Sequence, residues 1–163
     1  MERIWAPWRI DYIVNEKPPG CIFCVPSEGG NDRQSLILCR TPFSLVMLNR
    51  YPYNNGHLMV APFRHSADLN ELSEDEMLDL FTTMRRCRNV LQEAAAPQGF
   101  NIGINLGKAA GAGVDEHLHI HIVPRWNGDS NFMSVVGDLR VMPENLDITY
   151  ERLLPGFADN PSE

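Results

Sequence analysis

The sequence predicts an α+β fold in which a five-stranded antiparallel meander sheet carries one long helix on one face. Three short apolar segments precede a long segment with helical periodicity, and two more apolar segments follow it. Turn-forming residues separate the short segments, as expected for strands. Because the strands are grouped, rather than alternating one by one with helices, they favour an antiparallel sheet over a parallel one.

The first three strands are expected at residues 36–40, 44–49 and 57–61, each a short run of mostly aliphatic residues. Thr41-Pro42 separates the first two strands, and Asn54-Asn55-Gly56 leads into the third. Both are sequences that favour turns, so the three segments are expected to pair in order.

The long helix is expected over residues 74–95. Ser73 and Glu76 form a capping box, in which the serine hydroxyl accepts the Glu76 amide and the glutamate reaches back to the start of the helix. Apolar residues then recur three and four positions apart, which predicts a helix that lies on the sheet. These residues are Met77, Leu80, Phe81, Met84, Cys87 and Leu91. Pro97 and Gly99 end the helix.

The last two strands are expected at residues 100–106 and 117–123, joined by the glycine-rich loop 107–113. Beyond Pro124 the pattern weakens into a polar tail with one short strand near Val135.

All 163 residues are expected to form a single domain, because most domains contain roughly 100–150 residues. Residues 1–35 form an irregular arm rich in turn formers, residues 36–125 the core, and residues 126–163 a C-terminal extension. The content of 44% hydrophobic and 21% charged residues excludes disordered, collagen-like and coiled-coil chains.

The net charge of −7 argues against a protein that binds the nucleic-acid backbone, which needs a basic face. The acidity is local. Residues 68–79 carry six acids and no bases, and residues 126–163 carry seven acids against two bases, which leaves +4 on the rest of the chain. A small polyphosphate held in a locally basic cleft is therefore compatible with the net charge.

The N-terminus carries early charge and lacks the apolar core of a signal peptide, and no apolar run approaches the roughly 20 residues that span a bilayer. Four cysteines in a chain of this length do not make a disulfide framework. The expected location is the cytoplasm, with no membrane partner.

Three histidines alternate with aliphatic residues in the last predicted strand, which reads His117-Leu118-His119-Ile120-His121-Ile122-Val123. A strand places the imidazoles on one face and the aliphatic side chains on the other, against the core. Same-face neighbours lie ~6.6 Å apart, so one tetrahedral zinc ion cannot easily collect all three, although two neighbours could share an ion. The alternative is nucleophilic catalysis, in which one neutral imidazole attacks a phosphorus atom while neighbouring donors hold the phosphate oxygens.

This run resembles the His-φ-His-φ-His-φ-φ motif of the histidine triad (HIT) superfamily of nucleotide hydrolases and transferases, and the following Pro124-Arg125 fits it as well. Upstream, Leu48-Asn49-Arg50-Tyr51-Pro52 and Gly56-His57-Leu58-Met59-Val60-Ala61-Pro62 are similar to the family's nucleotide-binding strands. The resemblance covers roughly residues 21–125. It implies a HIT-like fold and a homodimer that joins two sheets.

The resemblance also implies roles for individual residues. His119, the middle histidine, corresponds to the nucleophile, and His121 and His57 assist phosphate binding and orientation. Asn49 would lie by the nucleotide and Asn105 by the α-phosphate.

The loop before the triad departs from the family pattern. Two branches of the family place Gly-Gln-Ser/Thr there, whereas this chain has Gly111-Ala112-Gly113 and lacks the hydroxyl, which weighs against phosphoramidate hydrolysis. Backbone amides around Gly111 and Gly113 could serve as anion donors, and Lys108 or Arg125 could add positive charge near a bound nucleotide. An ordinary flexible loop with solvated bases is the alternative.

Cys21-Ile22-Phe23-Cys24 supplies half of a tetrahedral metal site. A redox role would need a thioredoxin-like unit, which the sequence does not suggest, and free buried thiols are the other interpretation. Related bacterial triad proteins pair such a CxxC with the histidine of a Pro-x-x-His turn and with the first triad histidine, here His65 and His117. The resemblance therefore implies a closed Cys2His2 site for a structural zinc ion.

Segments at residues 5–9, 124–133 and 140–144 are similar to a bacterial branch of the superfamily, the diadenosine tetraphosphate phosphorylases. This branch implies a nucleotidyl transferase that cleaves dinucleoside polyphosphates through a covalent nucleotidyl-histidine and transfers the nucleotide to inorganic phosphate. A magnesium ion bound with the substrate phosphates is an additional expectation. The alternatives are a HIT-type hydrolase of dinucleoside polyphosphates or phosphoramidates, a non-catalytic zinc-stabilised nucleotide-binding module, and a zinc hydrolase with the metal on two triad histidines.

Overall fold

The structure, a computed structural model, describes residues 20–26, 30–129 and 144–158. The strands are β1 (Ile37–Arg40), β2 (Ser44–Leu48), β3 (Leu58–Pro62), β4 (Gly99–Ile104) and β5 (Ile120–Arg125). The α-helices are α1 (Asp32–Ser35), α2 (Glu74–Ala95) and α3 (Leu146–Phe157), and short 3-10 helices lie at Leu69–Glu71 and Lys108–Ala110. The described residues therefore form the α+β fold that the sequence predicts.

All five strands are antiparallel to their neighbours, in the order β1-β2-β3-β5-β4. The first three strands form the predicted meander. After α2, the chain enters the sheet at the far edge as β4 and then turns back, so that β5 lies between β4 and β3. The register sets Met59 of β3 opposite His121 of β5, near the middle of the sheet.

The predicted capping box of α2 is confirmed, since the Ser73 hydroxyl accepts the Glu76 amide and the Glu76 carboxylate accepts the Ser73 amide. The predicted apolar stripe is partly wrong. Leu80 is buried as expected, whereas Met77 and Phe81 are 37% and 57% exposed. Cys87 and Leu91 are buried as predicted, and Val90 is buried in addition because α2 packs against α3 as well as against the sheet.

The prediction of a polar tail after the triad is wrong for residues 146–157, which form α3. The Asn145 side chain caps this helix by accepting the Asp147 amide. Its buried residues are Thr149, Tyr150, Leu153 and Phe157. The Tyr150 hydroxyl donates to the Ile37 carbonyl at 2.8 Å, which ties α3 to the edge strand β1.

The sheet buries apolar side chains on both faces. One face packs against α2 and α3 and includes Leu58, Val60, Ile120 and Ile122. The other face carries a smaller cluster of buried residues, Phe23, Ile37, Leu45, Met47, Met59 and Ala61. Because Phe23 belongs to the arm, the described residues of the arm around it cover part of the face that the helices leave open.

Two groups of predicted features lie outside the described residues: the segment 5–9 and the region from residue 130 to 143, which includes the expected short strand near Val135. Within the described ranges, no helix combines the length and the apolar character needed to cross a membrane.

Candidate active site and metal site

The three histidines of the alternating run lie on the arm-covered face, although β5 begins only at Ile120. His117 and His119 therefore belong to the extended segment before the strand, which the Leu118 amide ties to the Ser66 carbonyl at 2.7 Å. The alternation is retained, because Leu118, Ile120 and Ile122 are buried in the helix-side cluster. The three imidazoles are at most 9% exposed.

A backbone carbonyl fixes the tautomer of His119. Its Nδ1 lies 2.8 Å from the His117 carbonyl oxygen. Since a carbonyl oxygen only accepts hydrogen bonds, Nδ1 carries the proton and donates it. The other ring nitrogen, Nε2, consequently holds a lone pair in the neutral imidazole. His119 thus has the form that a nucleophile requires.

The tautomers of His57 and His121 follow from the backbone in the same way. The Tyr53 amide donates to His57 Nδ1 at 3.0 Å, so the proton of neutral His57 resides on Nε2. His57 Nε2 lies 2.9 Å from His121 Nδ1 and donates to it. In neutral His121 the proton must then reside on Nε2. His121 therefore offers an N–H donor on a ring whose centroid lies 4.6 Å from that of His119.

All of these imidazoles are held in the neutral form. Burial, with smaller contributions from His121 and His119, lowers the pKa of His57 to about 3. Burial also lowers the pKa of His121 to about 4, with a smaller contribution from His119. The pKa of His119 is lowered by burial too, against the opposing effect of its hydrogen bond to the His117 carbonyl. Near neutral pH the site thus combines an uncharged nucleophilic nitrogen with an uncharged N–H donor.

The two predicted asparagines lie close to the histidines. The side-chain nitrogen of Asn49, Nδ2, is 3.3 Å from His57 Nδ1. The side-chain oxygen, Oδ1, accepts the backbone amide of Tyr51 at 2.9 Å. Asn105 directly follows Ile104, which pairs with Ile120. His119 directly precedes Ile120, so both residues adjoin the last pair of the β4–β5 ladder.

The predicted nucleotide-binding residues of the glycine-rich loop differ in what they contact. Lys108 is 84% exposed at its side chain and lies 3.5 Å from the Asp115 carboxylate. The Gly111 amide donates to the Lys108 carbonyl, so it closes a turn. A Cβ added at Gly111 or Gly113 would meet no atom within 4 Å, which leaves that side of the loop open.

Arg125 lies at the end of β5 away from His119. Its Nε and Nη2 atoms donate to the two oxygens of the Asp129 carboxylate at 2.7 and 2.8 Å, and Nη1 donates to Asn101 at 2.7 Å. Asn54 donates to the same carboxylate at 2.7 Å. The guanidinium group is thus part of a network that fixes the loop after β5, and a phosphate would compete with Asp129 for it.

The two cysteines of the arm and two histidines form a cluster of four potential metal ligands, Cys21, Cys24, His65 and His117. One ligand atom from each lies within 4.8 Å of the other three. This cluster can hold a metal ion, and the structure brings together the four residues that the sequence analysis assigned to the site.

The spacing of most of these atoms is close to that around a tetrahedral ion, and the contact between the Cys24 sulfur and His65 Nδ1 is shorter, at 3.1 Å. With metal–nitrogen bonds of about 2.05 Å and metal–sulfur bonds of about 2.3 Å, a tetrahedron separates two nitrogens by about 3.3 Å and nitrogen from sulfur by about 3.6 Å. The Nδ1 atoms of His65 and His117 are 3.2 Å apart. His117 Nδ1 lies 3.3 and 3.7 Å from the sulfurs of Cys21 and Cys24. His117 Nε2 donates to the Pro62 carbonyl at 2.8 Å, so its Nδ1 presents a lone pair to the cluster.

Sequence reasoning did not single out two aromatic residues that line the site. The Phe23 ring centroid lies 4.7 Å from that of His119. The Tyr53 ring centroid lies 4.6 Å from that of His57 and 5.6 Å from that of His121. Tyr53 could have been found as a member of the turn before His57, whereas Phe23 carries no signal beyond its place inside the CxxC sequence.

A family model described as HIT domain matches residues 31–128, more than half of the chain. The chain belongs to the HIT domain family. An AP-4-A phosphorylase of Mycobacterium tuberculosis (strain CDC 1551 / Oshkosh) is 34% identical over 171 residues, which cover 99% of this chain and 87% of that protein. The family resemblance inferred from the motif is thereby confirmed.

Other HIT proteins match a shorter part of the chain. A bis(5'-nucleosyl)-tetraphosphatase [asymmetrical] of Schizosaccharomyces pombe is 37% identical over 95 residues, which cover 58% of this chain and 52% of that protein. The crystal structure of a Zn-bound histidine triad family protein from Mycobacterium smegmatis superposes with a TM-score of 0.62 at 29% identity, covering 76% of this chain and 84% of that one.

Proposed function

We propose that this protein cleaves dinucleoside polyphosphates such as diadenosine tetraphosphate by transferring a nucleotidyl group to His119 and then to inorganic phosphate. The observation that carries the proposal is the hydrogen bond from His119 Nδ1 to the His117 carbonyl, which leaves a lone pair on Nε2 of a ring whose centroid lies 4.6 Å from that of His121. The full-length similarity to an AP-4-A phosphorylase supports the choice of substrate and acceptor.

In the first step His119 Nε2 attacks the α-phosphorus of one adenosine. A nitrogen–phosphorus bond forms, and the bond from that phosphorus to the bridging oxygen breaks, so that ATP leaves. The imidazole then carries a positive charge, because both of its nitrogens are substituted. The His117 carbonyl, already 2.8 Å from Nδ1, stabilises this charge without a rearrangement.

His121 acts in this step as a hydrogen-bond donor. Because the pKa of His121 is about 4, only a small fraction of its imidazole is protonated near neutral pH. A departing ATP needs no proton, since a phosphate oxygen is stable as an anion, whereas the amine of a phosphoramidate must be protonated as it leaves. The low pKa and the missing hydroxyl before the triad both favour polyphosphates over phosphoramidates as substrates.

In the second step inorganic phosphate attacks the phosphorus of the adenylyl-His119 and displaces the imidazole, which returns to its neutral form. The product is ADP, so that each diadenosine tetraphosphate yields ADP and ATP. If water took the place of phosphate, the products would be AMP and ATP. We expect Asn105, which follows the Ile104–Ile120 pair, to contact the α-phosphate, and Asn49, whose side-chain nitrogen lies 3.3 Å from His57 Nδ1, to contact the nucleotide.

We assign a structural zinc ion to Cys21, Cys24, His65 and His117. The four ligands fill a tetrahedron and leave no position for a substrate, which favours a structural role. The described residues contain no second group of three or more such ligands, which disfavours a zinc hydrolase with the metal on two triad histidines. When bound, zinc would tie the arm to the segment that carries the triad.

Further elements of the proposal concern the setting of the reaction. We expect a cytoplasmic homodimer, in which β4, a strand at the edge of the described sheet with Ile102 43% exposed, is the surface available for pairing two sheets. Magnesium would accompany the substrate phosphates, and nucleic acid is not expected to bind.

The test is to incubate the zinc-loaded protein with diadenosine tetraphosphate in the presence and absence of inorganic phosphate and to separate the nucleotides by chromatography. We expect ADP and ATP in equal amounts, only when phosphate is present. His119→Ala should abolish turnover while retaining its zinc and its thermal stability. AMP and ATP under both conditions would identify a hydrolase, and tight nucleotide binding without turnover would identify a binding module. Either result would refute the phosphorylase.

A further inference from the structure

Phe23 lies between the two cysteines of the metal site and is only 1% exposed. Its ring packs on the sheet face that carries the triad, in the cluster with Met47 and Met59. It also stacks on two histidines. The ring centroids of Phe23 and His119 are 4.7 Å apart with an interplanar angle of 30°, and those of Phe23 and His117 are 5.2 Å apart with an angle of 50°.

These contacts complete the support around His119. The Nδ1 hydrogen bond to the His117 carbonyl holds one edge of the ring at 2.8 Å, but a ring held at one atom can still pivot about that bond. Phe23 covers one side of the imidazole at a small angle, and His121 meets the ring at 73°. Together they restrict the pivot that would swing Nε2 away from a bound phosphorus atom.

We propose that Phe23 is a positioning residue for the nucleophile, and that the metal site acts on His119 through it. This inference rests on the proposed role of His119. Cys21 and Cys24 flank Phe23 in the chain, so a metal ion bound to both sulfurs fixes the short loop that carries the ring. The same ion is bound by His117, whose carbonyl holds His119. The metal site thus supports the nucleophile from two directions, through the backbone of His117 and through the ring of Phe23.

A residue that only fills the core would behave differently from a positioning residue. Leucine at position 23 can fill most of the space between the sheet and the arm, but it cannot present an aromatic face to His119. Loss of packing alone would lower the stability and leave the chemistry of the folded protein unchanged. Loss of positioning would slow adenylation of His119 without changing how well the substrate binds.

The experiment compares Phe23→Leu, Phe23→Tyr and Ile22→Ala with the wild-type protein, all as the full zinc-loaded chain. Ile22 is the matched control, since it lies in the same loop and is 44% exposed. Zinc content and thermal unfolding are measured first. Rapid mixing with diadenosine tetraphosphate then gives the rate of His119 adenylation at saturation and the substrate concentration for half of that rate.

For Phe23→Leu we expect one zinc ion per chain, a half-saturating concentration within twofold of the wild type, and adenylation slowed by about 10-fold. Phe23→Tyr keeps the ring and should recover most of the rate, and Ile22→Ala should match the wild type. A wild-type rate in Phe23→Leu would overturn the inference. The inference would also be overturned if Phe23→Tyr adenylated no faster than Phe23→Leu. It would be overturned as well if Phe23→Leu had lost zinc and regained the wild-type rate of adenylation once zinc was restored.

A His119→Ala control separates this inference from the proposed function. If His119→Ala still forms a covalent nucleotidyl adduct, the nucleophile is misassigned and both proposals fail. If His119→Ala forms no adduct and Phe23→Leu adenylates at the wild-type rate, only the positioning role fails.

Discussion

Acid should destabilise the folded protein through His57, which is fully buried and donates to His121. In the unfolded chain a histidine takes up a proton below about pH 6.5, whereas the folded protein lowers the pKa of His57 to about 3. Between these values the unfolded state binds more protons than the folded state, so the free energy of unfolding falls as the pH falls. The contribution of His57 is complete above pH 6.5 and declines towards pH 3.

The magnitude follows from the size of the shift. Each pH unit inside that window corresponds to about 1.4 kcal/mol for one group. Lowering the pH from 7 to 5 crosses about 1.5 units of the window, which predicts a loss of about 2 kcal/mol from His57 alone. The measurement is urea denaturation of the zinc-loaded protein at both pH values, followed by circular dichroism.

His57→Gln is the comparison, because it keeps an N–H donor towards His121 but cannot be protonated. The zinc ligands are the same in both proteins, so their own pH dependence cancels in the difference. We expect the wild type to lose about 2 kcal/mol more than His57→Gln between pH 7 and pH 5. Equal losses in the two proteins would refute the reasoning, since His57 would then titrate alike in the folded and unfolded states.

Three further substitutions test the metal site and the helix packing. Cys24→Ser should lose the zinc ion by elemental analysis and about 3 kcal/mol or more of unfolding free energy, and a variant with one zinc ion per chain would contradict the ligand set. Ser73→Ala removes the hydroxyl that accepts the Glu76 amide and should lower the free energy of unfolding, measured in urea, by about 1 kcal/mol. An unchanged free energy of unfolding would contradict the stabilising role of this cap. Gly156→Ala places a Cβ 2.7 Å from Val90 Cγ1 and should lower the stability by about 1–3 kcal/mol, whereas an increase would show that the two helices adjust freely.

Local patterns predicted most of the fold because each element carried its own signal. The capping box at Ser73 set the start of α2, and the alternation around His119 set the two faces of the last strand. The order of the strands depends on which edge of the sheet the chain reaches after α2, and no local pattern encodes that choice. Phe81 is exposed for a similar reason, because the face that α2 buries depends on its packing against α3, a helix that the sequence did not predict.

Helix α3 was not predicted, although its sequence signals are present. Asn145 is a good N-cap, and buried residues recur at Tyr150, Leu153 and Phe157. Pro155 and Gly156 obscured the pattern, because both residues disfavour the interior of a helix. The short length of the helix further weakened the periodic signal.

The sequence motifs predict which residues form the site, whereas the hydrogen bonds around those residues are seen only in the structure. The motif and the CxxC sequence predicted which side chains would meet, and the structure brings His57, His119 and His121 together beside the cluster that contains His117. The hydrogen bonds that set the tautomers of His119 and His57 come from backbone groups, which a sequence does not display. The engagement of Arg125 by Asp129 likewise depends on how the chain turns after β5.

The central claim is a covalent bond between His119 and the transferred nucleotide. Zinc-loaded protein is mixed with diadenosine tetraphosphate in the absence of phosphate. It is denatured within seconds at alkaline pH, which preserves a phosphorus–nitrogen bond, and is then digested and examined by mass spectrometry. We expect one adenylyl group on the peptide that contains His119 and no such group in His119→Ala. Phosphate added before denaturation should remove the group from His119 and release ADP. Steady turnover with an unmodified His119 peptide at every time, or an adenylyl group on another residue, would contradict the central claim.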